Sequence, residues 1–403
     1  MKYILVLGDG MADLPLEKLG GKTPLEVAKK PATDALASNG GAVGVVKTIP
    51  DGFKPGSDTA NLSVLGYAPA KYYTGRSPLE AVSLGIDMKN SDLAVRCNVV
   101  TLSDEEDFAA KTMVDYSSGE ISTEESGALV RAVQDALGDE KFRFYAGVSY
   151  RHCLIIGDGI SGTKTTPPHD ITGRKIREYL PTGVYADEYM RLYKEAHEIL
   201  KNHPVNRARV AAGKNLANSI WLWGEGKKPV LDPFKDKFGK NGAMISAVDL
   251  LKGIAIAASM TVCEVEGATG NIHTNFAGKG AAAIAALENG NDFVYVHIEA
   301  PDESGHHGNV EEKILSIELI DKNIVKPVYD YFVKTGEDFA MLVLPDHPTP
   351  IATMTHSSAP VPFVMWKKGV KLGKARCYDE KEAVSTGIYY PDGESLMKAF
   401  LSL

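Results

Sequence analysis

Cysteine is scarce in this chain: Cys97, Cys153, Cys263 and Cys377 are the four among 403 residues, and no two stand in CxxC spacing. Isolated thiols supply neither a zinc knuckle nor a disulfide framework, so reduced cysteines in a cytoplasmic enzyme are expected. Long hydrophobic runs are missing too. The most apolar helical segment, residues 253–260, falls far short of the roughly 20 residues that span a bilayer, and no membrane role is expected. No basic stretch followed by a long apolar one precedes the first strand, so no targeting segment is expected either. Basic charge is in deficit, 44 Lys and Arg against 52 Asp and Glu, for a formal net charge of -8. That argues against nucleic acid as a main partner, because a phosphate backbone calls for a basic surface. A small phosphorylated ligand stays open, since an acidic protein can still carry a local cationic pocket. There is no GxxxxGK[ST] loop, which weakens a conventional nucleotide-kinase reading.

What is present is an ordinary globular composition, 44% hydrophobic and 24% charged, in a chain long enough for two domains. Strand and helix signals alternate at both ends. Strands are expected at 3–7, 293–298, 339–344 and 361–366, the last read as parallel like the others. Helices are expected at 31–38, 247–258, 278–287 and 313–333. This pattern predicts an α/β fold, a doubly wound and mostly parallel sheet. From about residue 67 the texture changes: polar strands at 94–102, 142–145 and 152–156, two Pro-rich turns, and a polar helix at 186–202. The aromatic run at 219–224 is read as core or hinge packing. We therefore expect an inserted α+β domain at 67–239, with 1–66 and 240–403 forming one discontinuous domain. The joints fall within 66–73 and 226–240.

The chemistry lies at the strand ends. In open α/β sheets ligands gather outside the carboxyl ends of the strands. Here Asp9 follows the first strand, Asp302 and His306 the 293–298 strand, and Asp346 and His347 the 339–344 strand, while His356 precedes the last. Asp302 and His306 are four apart, a spacing that a helical turn brings to one side. Asp346 and His347 are adjacent and need a sharp bend, which Pro348 favours. Half of the ten histidines lie between His297 and His356. Scattered surface histidines would not cluster so. Carboxylate and imidazole donors on one sheet edge suit a pair of divalent cations and phosphoryl transfer. A second signal is Lys54-Pro55-Gly56-Ser57-Asp58, where a turn delivers Ser57 into the start of a helix. Backbone N–H groups there suit an anion, and a nearby cation would activate the hydroxyl. Taken alone, the segment reads better as a plain N-cap serine.

The ordered set GDG, PGSDTANLS, PDESGH, PDHP and HSSAPVPF resembles the alkaline phosphatase superfamily. Within it, nearly the whole chain is similar to the cofactor-independent phosphoglycerate mutases of the shorter, archaeal type. The resemblance implies Ser57 as nucleophile. It implies one cation on Asp302, His306 and His356, and another on Asp9, Asp346 and His347, completed by Ser57. Manganese, zinc and magnesium all accept such mixed donors to different degrees, and no 2,3-bisphosphoglycerate is implied. Glu303 and His307 have no matched role. The family's inserted domain binds the phospho-substrate. Arg76, Arg96 and Arg151 are the favoured contacts, with Asp115 and Lys252 also named, because guanidinium forks fit phosphate and carboxylate. The segments around 115–122, 143–153 and 203–229 also look like a bacterial subgroup proposed to be homoserine kinases. Three expectations follow. The first is interconversion of 3- and 2-phosphoglycerate through a phosphoserine. The second is ATP-dependent homoserine phosphorylation, in which Asp115 would meet the ammonium group. The third is a non-catalytic metal-binding scaffold.

Overall fold

Strand runs that are apolar at every position, rather than at alternate ones, belong in a sheet covered on both faces. The computed structural model describes residues 1–403 and places Lys2–Gly8, Phe293–Ile298 and Phe339–Leu344 at the centre of such a sheet. The eight strands run in the order Thr261–Val262, Gly242–Ile245, Phe293–Ile298, Lys2–Gly8, Phe339–Leu344, Val361–Lys367, Ala42–Val46 and Tyr389–Tyr390. Leu7 pairs with His297 on one side and Leu344 on the other. The residues that follow these three strands therefore leave at one edge.

One expectation is corrected. Val361–Lys367 is antiparallel to both Phe339–Leu344 and Ala42–Val46. The connecting segment 345–360 holds turns and no helix, so the chain returns directly, whereas a parallel partner would need a long crossover. The reversal has a useful result. His356, which precedes its strand, lies at the same edge as residues that follow theirs.

The helices pack on the two faces over a core that includes Ile4, Val6, Val294, Val296, Met341 and Val343. Pro31–Ser38, Asp249–Ala257 and Phe276–Glu288 lie close to their expected spans. The single helix expected at 313–333 is instead two α-helical pieces, Val310–Ile320 and Lys326–Thr335, joined by a π-turn at Asp321–Val325. Pro327 has no N–H to give the Asn323 carbonyl, and its ring would clash there, so the turn widens. In the widened turn Lys326 N–H reaches Asp321 O. The Asp321 carboxylate accepts from Thr33 N–H and Oγ–H, both at 2.7 Å. Gly280 passes so near that a Cβ there would stand 2.7 Å from Asn323 O.

Two compact units emerge, Met1–Tyr73 with Leu231–Leu403, and Thr74–Val230. The joints thus fall after Tyr73 and Val230. Residues 67–73 and 231–239 stay with the outer unit for physical reasons. Tyr67 donates to Asp232 O at 2.8 Å, Tyr72 donates to the Asp232 carboxylate, and Phe234 stacks on Phe293. The inserted unit holds an antiparallel sheet of Met113–Asp115, Leu93–Leu102, Arg151–Ile156, Phe142–Val148 and Ser219–Lys227. Helices Thr123–Leu137 and Ala186–Lys201 supply residues to its core. The run at 219–224 is a buried strand with Trp221 in that core. No helix is long and apolar enough to cross a membrane.

Candidate active site

Asp9 leaves its strand into Gly10, whose φ of 60° is the left-handed conformation that glycine tolerates. A Cβ on Gly10 would sit 2.6 Å from both Asp302 Oδ1 and Thr349 Oγ1, so the absent side chain is what lets the two strand ends close up. The Phe293–Ile298 strand runs almost directly into a short helix, Ala300–His306, with a proline in its first turn. One helical turn separates Asp302 from His306, and their Oδ2 and Nε2 atoms lie 3.2 Å apart. At Asp346 the chain bends sharply enough for His347 N–H to donate back to Asp346 Oδ1 at 2.9 Å. Adjacent residues thereby face one place: His347 Nε2 is 3.4 Å from Asp346 Oδ2 and 3.4 Å from Asp9 Oδ1. His356 Nε2 lies 2.9 Å from His306 Nε2 and 3.5 Å from Asp302 Oδ1. Ser57 is the first residue of helix Ser57–Val64, behind the N-cap Gly56, so it is not a capping serine. Its Oγ stands 3.2 Å from His347 Nε2.

Partners fix the ring protons. His306 Nδ1 faces the Met354 carbonyl at 3.0 Å; a carbonyl only accepts, so Nδ1 carries hydrogen and Nε2 is left for the site. Thr349 gives its hydroxyl hydrogen to Asp302 Oδ1 and can then only accept from His347 Nδ1, 3.2 Å away. His347 Nε2 is therefore also a lone pair. It points at two carboxylates in a buried place, and Asp9 Oδ1 there is buried with no hydrogen-bond partner. Acceptors facing acceptors repel, and burial makes the repulsion costly. A cation placed among them removes that cost, so the donor set fits divalent metal. Asp9, Asp346 and His347 offer donor atoms within 4.8 Å of one another, as do Asp302, His347 and His356. His306 joins the second set through its contacts with Asp302 and His356.

Without a cation, protons take its place. Burial, then the charges of Asp346, Asp302 and Glu299, push Asp9 well above the usual carboxylate range. Burial also acts upward on Asp302, but hydrogen bonds to His306 and His356 carry it far below that range. The same bond to Asp302 raises His306 to about 9. His347 is lowered by burial.

Several supporting residues escaped the sequence reading. Asn61 donates to Ser57 O at 2.8 Å and Asp346 Oδ2 at 2.7 Å, and its own oxygen accepts from Tyr295 at 2.6 Å. Buried Lys313 donates to Asp13 Oδ2 at 2.7 Å, Thr349 O at 2.8 Å and Ala12 O at 3.3 Å. It clamps the loops after two strands together. His297 Nε2 contacts Asp9 Oδ2 at 2.8 Å. A histidine inside an otherwise apolar strand was the one available signal for it. His307 and Glu303 are 3.9 Å apart on the outside.

The substrate candidates divide. Within the inserted unit, Arg76 Nε and Arg96 Nε bind the two oxygens of Glu80 at 2.7 and 3.0 Å. The Arg151 charge acts on both Glu80 and Arg96, and the Arg96 guanidinium lies 4.1 Å over Trp223. Three guanidiniums around one carboxylate leave a cationic surplus. Asp115 does not face a ligand in this way. Its oxygens accept from Ser117 N, Ser117 Oγ, Gly119 N and Asn215 Nδ2, so it builds its own turn. Lys252 belongs to the outer unit, where it pairs with Glu264 at 2.8 Å.

Fold and donor set together define an α/β protein with a helix-borne serine beside a carboxylate–imidazole cluster that fits divalent metal. Residues 37–206 match the profile of the family described as 2,3-bisphosphoglycerate-independent phosphoglycerate mutase. A protein of that name from Methanosarcina barkeri is 49% identical over 95% of this chain and 95% of its own length. Among solved structures, the cofactor-independent phosphoglycerate mutase of Thermoplasma acidophilum superposes with a TM-score of 0.69 at 28% identity, covering 100% of this chain and 99% of that one. A Pyrococcus horikoshii protein superposes with a TM-score of 0.83 at 29% identity, covering 100% and 96%. The chain belongs to the 2,3-bisphosphoglycerate-independent phosphoglycerate mutase family.

Proposed function

We propose that this chain interconverts 3-phosphoglycerate and 2-phosphoglycerate through a phosphoserine at Ser57, without 2,3-bisphosphoglycerate. The observation that carries this is Ser57 Oγ, 3.2 Å from His347 Nε2 within the buried carboxylate–imidazole cluster, in a chain of this family. Asp9, Asp346, His347 and Ser57 would hold one divalent cation, and Asp302, His306 and His356 a second. Bound there, the cations supply Lewis acidity that lowers the hydroxyl's pKa and neutralises the transferring phosphoryl oxygens. Three imidazoles among the donors favour manganese or zinc over magnesium.

Ser57 Oγ takes the phosphoryl group from one glycerate oxygen and returns it to the neighbouring one. Asn61 anchors the Ser57 carbonyl and Asp346 together, so nucleophile and ligand move as one body. The guanidiniums of Arg76, Arg96 and Arg151 take the anionic groups of the substrate. A cytoplasmic setting is proposed from the four unbridged cysteines.

ATP-dependent phosphorylation of homoserine gains nothing from the relatives, and Asp115 has its oxygens spent on its own turn. A non-catalytic scaffold would leave the Ser57–His347 contact without a purpose. The deciding assay sets the purified protein on 3-phosphoglycerate with metal alone beside homoserine with ATP. Conversion of phosphoglycerate without nucleotide is expected. Release of ADP from the homoserine mixture alone would overturn the mutase and leave the site intact.

A further inference from the structure

His297 lies in the middle of the sheet and is wholly buried, yet neither of its ring nitrogens is idle. Nδ1 is 3.1 Å from Ser246 Oγ, and Nε2 is 2.8 Å from Asp9 Oδ2. Ser246 Oγ also accepts from Val248 N–H at 3.0 Å. The roles follow once Asp9 is a carboxylate. A carboxylate oxygen can only accept, so the proton sits on Nε2. In the neutral ring Nδ1 is then a lone pair, which takes the Ser246 hydroxyl hydrogen. The hydroxyl oxygen keeps a lone pair for Val248 N–H. Every donor in the chain meets one acceptor, and the order cannot be reversed without leaving Asp9 Oδ2 facing a bare ring nitrogen.

The effect falls on the other oxygen. Oδ2 is occupied by an aimed donor, while Oδ1 is buried, without a partner and 3.4 Å from His347 Nε2. Asp346 is treated alike: Asn61 holds its Oδ2, and backbone N–H groups of Gly10 and His347 hold its Oδ1. Asp9 differs in having a single donor, so its orientation depends on that donor. Lys279, buried beneath, fixes the strand from behind through His297 O at 2.9 Å.

We infer that His297 is a positioning residue, which holds Asp9 Oδ2 as a neutral, Nε2-protonated imidazole so that Oδ1 alone is presented to a cation, and that Ser246 sets this tautomer. The inference rests on Asp9 being a metal ligand, as proposed above. Partners that orient a ligand in this way typically change metal affinity by about 10–100-fold.

The test uses the full-length chain stripped of metal and titrated with zinc by calorimetry. His297→Leu should weaken one site by about 10–100-fold. His297→Gln, whose amide nitrogen can stand where Nε2 stood, should recover most of that loss. Ser246→Ala should give a smaller loss, and nitrogen-15 spectra of its zinc form should show a mixture of His297 tautomers. The zinc-loaded parent should show Nε2–H alone. A parent spectrum with the proton on Nδ1 overturns the inference, as does wild-type affinity in folded His297→Leu. A merely structural role would lower the melting temperature of the metal-free variant and leave zinc affinity unchanged. If His297→Leu does not fold, the His297→Gln affinity and the two spectra decide. Asp9→Asn separates the two levels. Wild-type affinity there removes the metal-site reading itself, whereas weak binding there beside normal binding in His297→Leu removes only the role of His297.

Discussion

Ser57 stands at the head of a helix whose next turn carries Asn61, and Asn61 is tied to Asp346. The hydroxyl can therefore be deleted without disturbing what holds the helix in place. Ser57→Ala should lose mutase activity by roughly a thousandfold or more and melt within about 0.5 kcal/mol of the parent. Mass spectrometry of the parent quenched during turnover should find phosphate on the peptide containing Ser57; near-parental rates in the variant would remove the covalent route. His306 and Asp9 lead to a second expectation. The His306 imidazole, raised to about 9 by its bond to Asp302, stabilises the metal-free fold fully below the ordinary histidine value of about 6.5. That contribution is lost as pH rises through about 9. At neutral pH His306 carries a proton that an incoming cation must displace, and the upward push of burial on Asp9 acts in the same direction. Metal affinity should thus fall as pH falls, and binding heats measured in buffers of different ionisation enthalpy should differ. Identical heats would show that no proton leaves. The ligand candidates stand out in the sequence because each follows or precedes an apolar run, whereas Ser57 is singled out only through the family resemblance, its own segment reading as an N-cap. Asp115 closes its own turn, and in sequence such a carboxylate looks like one waiting for a ligand.

Elements are held to the site by two buried attachments. Lys313 Nζ, with no exposure, joins Asp13 to the backbone of the loop after Phe339–Leu344. Lys313→Met fills similar volume but leaves the buried Asp13 charge with only the backbone N–H groups of Leu14 and Ile351, so a loss of about 3–5 kcal/mol is expected, read as a lower denaturant midpoint. A midpoint equal to the parent's would mean the clamp is dispensable. The other attachment is steric. Gly280→Ala presses a methyl against Asn323 O in the π-turn and should cost about 1–3 kcal/mol. Here the sequence was readable only in part. Strand positions were clear because a doubly covered strand is apolar throughout. The direction of Val361–Lys367 was not, since burial pattern is the same for parallel and antiparallel strands. The π-turn was hidden as well: Pro327 signals a disturbance, but the widened turn depends on how Gly280 and Thr33 pack beside it.

At the scale of the whole molecule the carboxylate–imidazole cluster lies in one unit and the arginine cluster in the other. Arg96→Ala should raise KM for 3-phosphoglycerate by roughly tenfold or more, the worth of one charged hydrogen bond, with zinc affinity unchanged. An altered zinc affinity would mean that Arg96 serves the fold rather than the substrate. The sequence marks the change of texture near residue 67 but not the exact joint, because Tyr67 and Tyr72 reveal their loyalty only through Asp232, some 160 positions on. The strand order also sets a timetable for manufacture. Both neighbours of Lys2–Gly8 in the sheet lie beyond residue 292, while every strand of the inserted unit has been made by residue 227. On the ribosome, where domains fold as they emerge, Lys2–Gly8 must wait unpaired while the inserted unit matures. Lys2–Gly8 is made before the inserted unit and finds its place after it.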